Sequence, residues 1–101
     1  MAFKPIIVEK EIDGTIYKAQ FNGMMSRNEL AILADSDMSK AIEYVFNHTL
    51  VEPKIDDIDE YFGTNAAHYD KVISFLIGVG TASKEYFPDD KQSANRGKSS
   101  K

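Results

Sequence analysis

The sequence predicts an α+β fold, in which an N-terminal β-hairpin packs on a small bundle of three to four α-helices. Three observations lead to this prediction. An Asp13-Gly14 pair separates two segments that alternate in character, apolar residues then recur at helical spacing, and a polar stretch follows Pro88. A chain of 101 residues with 43% hydrophobic and 28% charged residues is typical of one small folded domain, which we assign to residues 1–87.

The composition excludes several classes of protein. The chain is neither collagen-like nor wholly disordered, and the absence of cysteine excludes a disulfide scaffold and a thiolate metal site. No long apolar run is present, so neither a secretion signal nor a membrane-spanning helix is expected. Residues 1–87 carry 8 basic and 14 acidic side chains. This acidic body disfavours nucleic acid as a partner, because duplex binding needs a basic face.

The hairpin is predicted over residues 5–22. Asp-Gly is a strong two-residue turn signal, since both central positions need positive φ. The turn fixes a register in which apolar residues share one face and Glu9 lies opposite Lys18 on the other. The predicted partners are Ile12 with Thr15, Lys10 with Tyr17, Val8 with Ala19, and Ile6 with Phe21. We expect Ile6, Val8, Tyr17 and Phe21 to cover the helices.

Two helices are predicted after the hairpin. Ser26 and Glu29 have the spacing of a capping box, which predicts a helix over about residues 27–35. Asp35-Ser36-Asp37 offers a second start, and an amphipathic stripe then predicts a helix over about residues 37–50. Its members are Met38, Ala41, Ile42, Val45 and Phe46. Pro53 requires this helix to stop near Val51.

A short helix and a long helix complete the predicted domain. Asp56 or Asp57 caps a helix over about residues 56–62, which Gly63 ends. The long helix is predicted over about residues 65–86. The polar composition of residues 88–101, which carry a net charge of +2, predicts a disordered basic tail.

The long helix has a wider apolar arc than packing on a single core requires. One explanation is that the helix is central in its own bundle. The other is that it packs inward on one side and on a partner on the other side. The second explanation makes five residues candidates for partner binding: Val72, Phe75, Leu76, Ile77 and Val79. Self-association is a further expectation, because a domain this small has a thin core.

Signals for catalysis are weak. His48 and His68 match no short metal-binding pair, and the acidic run of residues 56–60 lacks the glycine and glutamate that a calcium loop places after it. Gly78-Val79-Gly80 lacks the third glycine of a dinucleotide fingerprint and is better explained by close helix packing or by a bend. No nucleophile elbow is present. We therefore expect no enzyme activity, no metal and no cofactor.

One segment and its surroundings carry a resemblance. The predicted second helix ends in Leu50-Val51-Glu52-Pro53-Lys54-Ile55, an acidic turn with Tyr61 and Phe62 follows, and the last helix holds Val72-Ile73-Ser74-Phe75-Leu76. This layout resembles the small tail assembly chaperones of long-tailed phages and prophages, especially those of Gram-positive hosts. The resemblance covers roughly residues 5–87.

The resemblance implies a non-enzymatic function in tail morphogenesis. Such chaperones bind the long hydrophobic tape measure protein in the host cytoplasm, keep it soluble, and leave as the tail tube grows, so they are not expected in the mature virion. A longer frameshifted form recruits tail tube protein in that family. Two alternatives stay open. The first is a virion structural or connector protein, and the second is a small acidic regulator that binds one protein partner.

Overall fold

The computed structural model describes residues 3–88 and has the predicted α+β architecture. Its sheet contains three antiparallel strands in the order β1-β2-β3. The strands are β1 (Ile6–Ile12), β2 (Thr15–Phe21) and β3 (Leu50–Glu52). The helices are α1 (Met24–Ser36), α2 (Met38–Tyr44), α3 (Ile58–Phe62) and α4 (Ala66–Gly80), and a π-helical segment (Val45–Thr49) follows α2. The predicted tail lies, from residue 89 onward, outside the described residues.

The hairpin has the predicted register. Ile6 pairs with Phe21, Val8 with Ala19, and Ile12 with Thr15. Asp13 and Gly14 both have positive φ, as the turn requires. Tyr17 and Phe21 are buried and Val8 is half-buried, but Ile6 is 45% exposed, so its predicted burial is wrong. Phe21 is covered at this corner of the sheet by Phe3, whose ring centroid lies 5.8 Å away, at an edge-to-face angle.

Helix α1 begins three residues before the predicted start. Its N-cap is Gly23, whose φ of 109° suits glycine, and the Gly23 carbonyl accepts a hydrogen bond from the Arg27 N–H. Ser26 therefore lies inside the first turn, and the predicted capping box with Glu29 is wrong. The second predicted start is confirmed, since the Asp37 carboxylate accepts a hydrogen bond from the backbone N–H of Lys40 and caps α2.

The helix predicted over residues 37–50 ends early as an α-helix. It widens into a π-helical segment after Tyr44, and Leu50 is already extended. Leu50 and Glu52 then pair with Ala19 and Lys18 of β2, with a register shift between the two β2 residues. The break ahead of Pro53 is thus used to add a third strand, which the sequence analysis did not predict.

Helix α3 has the predicted cap and stop. The Asp57 carboxylate accepts a hydrogen bond from the Glu60 N–H, and Gly63 ends the helix with a φ of 57°. Asn65 caps α4 through its side-chain oxygen, which accepts a hydrogen bond from the His68 N–H.

The predicted end of the last helix at residue 86 is wrong, because α4 ends at Gly80. Ala82 has a left-handed φ of 57°, and its N–H donates to the Val79 carbonyl. The Ser83 N–H donates to the Gly78 carbonyl. This pair of hydrogen bonds is a Schellman motif with alanine at the position that glycine usually occupies. It reverses the chain after α4.

The reversed segment covers one side of α4. The Tyr86 ring lies edge-on to Phe75, with centroids 5.3 Å apart, and Phe87 lies 5.4 Å from Phe21. A Cβ at Gly78 would lie 2.6 Å from Tyr86 Cε2, and one at Gly80 would lie 2.5 Å from the Leu30 side chain. Both glycines therefore permit close packing on α4, as the sequence analysis predicted.

Helix α4 is the centre of the core. The sheet, α1, the π-helical segment and the reversed end surround it, and the buried apolar residues form one cluster. None of the helices within residues 3–88 is long and apolar enough to cross a membrane.

Candidate functional site

Four of the five residues predicted to bind a partner are fully buried within the chain. Val72, Phe75, Leu76 and Val79 each have 0% exposure, whereas Ile77 is half-buried. In this conformation the four buried side chains are not available to a partner, because the hairpin, α1 and the reversed end already cover them. The predicted surface is therefore corrected to the side of α4 that carries Ile77.

An open groove lies on this side, between α2 and α4. Its volume is about 490 Å³, and Met38 at its edge is 48% exposed. Spacings of four residues place Met38 and Ile42 on one face of α2, and Tyr69, Ile73 and Ile77 on one face of α4. The lining residues are Met38, Ile42, Tyr69, Asp70, Ile73, Ser74 and Ile77.

A second hollow of about 240 Å³ lies between α3 and the start of α4. Tyr69 lines both hollows, so we treat them as one feature and call it the trough. Between Ala66 and Ile77 the trough follows α4 for about 17 Å, at 1.5 Å per residue. The residues of the second hollow are Ile58, Asp59, Phe62, Gly63, Thr64, Asn65, Ala66 and Tyr69.

The charges that line the trough are both acidic. They belong to Asp59 and Asp70, and both residues are exposed. Lys71 follows Asp70 in sequence, but its ammonium lies 2.9 Å from a carboxylate oxygen of Asp13 in the hairpin turn. The trough is mainly apolar in the groove between α2 and α4, and mixed in the second hollow, where Thr64 and Asn65 also line it. Its carboxylates lie on the exposed rim.

A hydrogen-bonded chain of side chains fixes the beginning of α4 against the hairpin. His68 Nδ1 lies 2.8 Å from Asp13 Oδ2, and because a carboxylate can only accept, Nδ1 carries the proton. His68 Nε2 then accepts from the Tyr17 hydroxyl, at 2.7 Å. The Tyr17 oxygen in turn accepts from the Tyr61 hydroxyl, at 2.9 Å. These four side chains join the hairpin turn, β2, α3 and α4, and we call them the clamp.

The surroundings of two clamp side chains fix their charge states. Hydrogen bonds from His68 and from Lys71 lower the pKa of Asp13, so its carboxylate stays charged. Burial raises the pKa of Tyr17, which keeps its hydroxyl protonated. Tyr17 has 0% exposure, so no substrate reaches that hydroxyl. The clamp fixes His68 at the start of α4, and Tyr69, the next residue, lines the trough.

Neither histidine matches a short metal-binding pair in the sequence. In the structure His68 makes hydrogen bonds through both ring nitrogens. The sequence carried no signal for the clamp, because its members come from four separate elements. Among residues 3–88, no group of three or more His, Cys, Asp or Glu side chains is placed to hold a metal ion.

The trough residues that the prediction missed did carry a signal. Met38 and Ile42 belong to the predicted stripe of the second helix, and Tyr69 and Ile73 to the arc of the last. Each pair has a spacing of four residues, so its two side chains lie on one face of their helix. Only the packing of α2 beside α4 reveals that these two faces line a shared groove.

Neither a protein-family model, nor a curated protein, nor a solved structure matches this chain. The candidate site is therefore defined by the chain's own geometry: an apolar trough along α4 with two carboxylates on its rim.

Proposed function

We propose that this chain is a non-enzymatic chaperone that binds an apolar helical segment of another protein in the trough. The observation that carries the proposal is an open groove about 490 Å³ in volume whose lining is mostly isoleucine, methionine and tyrosine. An amphipathic helix that lays its apolar face into such a groove is a common mode of protein recognition. The groove supplies contact area without a reactive group at its centre.

The resemblance in sequence layout implies which protein is the client. In the proposed function the trough binds the tape measure protein of a long-tailed phage in the host cytoplasm, and the chaperone leaves before the virion matures. A further apolar surface on α1 supports a role in covering a long client. Its exposed fractions are 62% for Met24, 81% for Met25 and 67% for Ile32. Contacts through several weak apolar surfaces add up along one client. Tail tube protein is a second partner of that family.

Co-expression with the tape measure protein encoded in the same genome tests the proposal. The wild-type chain should raise the soluble fraction of the client. Ile73→Glu and Ile77→Glu should remove this effect while the circular dichroism spectrum stays that of the folded chain, because a charge in the trough opposes an apolar client. Ile16→Glu is the matched control, since Ile16 is 54% exposed and lies outside the trough. Solubilisation that survives both trough substitutions refutes the site.

Phe75→Glu should behave differently from Ile77→Glu. Phe75 is fully buried, so a carboxylate at that position should unfold the domain instead of leaving a folded chain without its client. A folded Phe75→Glu variant would contradict the central position of α4.

Two observations separate the proposal from its alternatives. A virion structural or connector protein stays in purified particles, where mass spectrometry detects it, whereas an assembly chaperone is absent. A small acidic regulator forms a complex of fixed stoichiometry with one folded partner, which analytical ultracentrifugation distinguishes from many copies on a long client.

A further inference from the structure

We infer that the trough selects helical segments whose apolar stripe is bordered by lysine or arginine. This inference rests on the proposed function, because it specifies the client of the same site. The charges lining the trough are Asp59 in the second hollow and Asp70 in the groove between α2 and α4, and Tyr69 lines both. A helix lying along the trough therefore passes one carboxylate and then the other.

The length of the trough sets the size of the segment. About 17 Å of α4 borders it, which matches roughly three turns of a client helix. Apolar side chains at positions i, i+4, i+7 and i+11 of that helix would follow the face of α4 from Ala66 to Ile77. Basic residues beside this stripe would meet the rim carboxylates, whereas acidic ones would meet like charge.

The chain itself offers two other occupants, and charge or composition disfavours each. The exposed stripe of α1 in a second copy carries Glu29 and Asp35 against Arg27, so it brings net negative charge to an acidic rim. Residues 89–101 carry four basic side chains, but Ala94 is their single apolar residue, so they provide no apolar stripe. A basic amphipathic segment of another protein satisfies both requirements.

Fluorescence anisotropy with two designed peptides tests the inference on the full chain. Both peptides are helical, about 15 residues long, and carry the same leucine stripe. One has lysine at the flanking positions and the other has glutamate. The lysine peptide should bind more tightly, and its advantage should shrink when salt rises from about 0.05 M to about 0.5 M.

Removal of the rim charges gives the second measurement. An exposed ion pair contributes roughly 1.4- to 5-fold in affinity, so Asp59→Asn with Asp70→Asn should weaken the lysine peptide by about 2- to 30-fold. Glu9→Gln with Glu11→Gln removes two exposed carboxylates of β1 that do not line the trough, and should leave affinity unchanged. Ile73→Ser should weaken the binding of both peptides, because it removes apolar surface from the trough.

Three results would overturn the inference. The first is equal affinity for the two peptides at low salt. The second is an equal loss of affinity when the two rim carboxylates or the two β1 carboxylates are replaced, which would mean that only net charge matters. The third is a wild-type dimer that Ile73→Ser dissociates, which would place a second copy in the trough. A different result would refute the proposed function alone. In that case the chain prefers the lysine peptide but leaves the tape measure protein insoluble.

Discussion

Replacement of Ala82 by glycine should stabilise the domain, although it removes a methyl group. Ala82 has a φ of 57°, where an L-residue with a Cβ is strained by roughly 1–2 kcal/mol. Glycine relieves this strain but adds unfolded-state entropy, which costs about 0.4–1 kcal/mol. Ala82 is half-buried, so the loss of its methyl group removes about 0.4 kcal/mol of stability, which is half the value for a fully buried methyl group. The net gain is about 0.5 kcal/mol.

A matched substitution in α1 makes the prediction sharper. Ala31 is exposed inside that helix, where Ala→Gly should cost about 1 kcal/mol. Glycine adds the same unfolded-state entropy at both positions, so this cost cancels when the two changes in stability are compared. The two variants should differ in stability by about 1.5 kcal/mol. For a domain of this size the difference corresponds to roughly 6–12 °C in Tm. Thermal denaturation followed by circular dichroism measures it, and equal losses at the two positions would refute the left-handed cap.

Other predictions concern the core, the clamp and the glycines of α4. Phe21→Ala should cost about 3–5 kcal/mol in urea denaturation, because Phe21 is 5% exposed and packs on rings from both sides; an unchanged midpoint would mean that this face is not the inner one. Folding lowers the pKa of Asp13 below its ordinary value of 3.8, so its stabilisation is complete above that pH and is lost as the pH falls further. Asp13→Asn should therefore lower stability near neutral pH and flatten its decline below about pH 4, and parallel pH profiles would contradict the clamp. Gly78→Ala should cost about 1–2 kcal/mol by displacing Tyr86, and the cost should vanish in a Tyr86→Ala background.

Local chemistry explains why the hairpin was predictable from sequence. The turn residues Asp13 and Gly14 fix the register, and every partner of β1 follows from it. The caps at Asp37 and Asp57 and the stop at Gly63 are equally local, because each depends on residues within one turn of the helix end. Such features need no knowledge of what packs nearby.

The errors come from features that only tertiary packing decides. Ala82 gives no sequence signal for a left-handed cap, since glycine is the usual residue there, so the apolar pattern predicts a helix that continues through Tyr86. For the same reason, the sequence does not show that four of the five candidate partner-binding residues are buried. A helical arc shows which residues are apolar but not which element covers them, and it is the reversal after Gly80 that buries Phe75 and leaves Ile77 half-exposed.

The aromatic stack on β2 has a consequence for engineering. Phe3 and Phe87 both pack on Phe21, so the two ends of the described chain meet at one corner of the sheet. A short linker between them should allow circular permutation, with new ends opened in the exposed stretch at Asp56, between β3 and α3. Such a permutant would keep the hairpin register and the order of strands in the sheet. It would also carry a fused reporter beside α3, at one end of the trough, and leave the original corner closed.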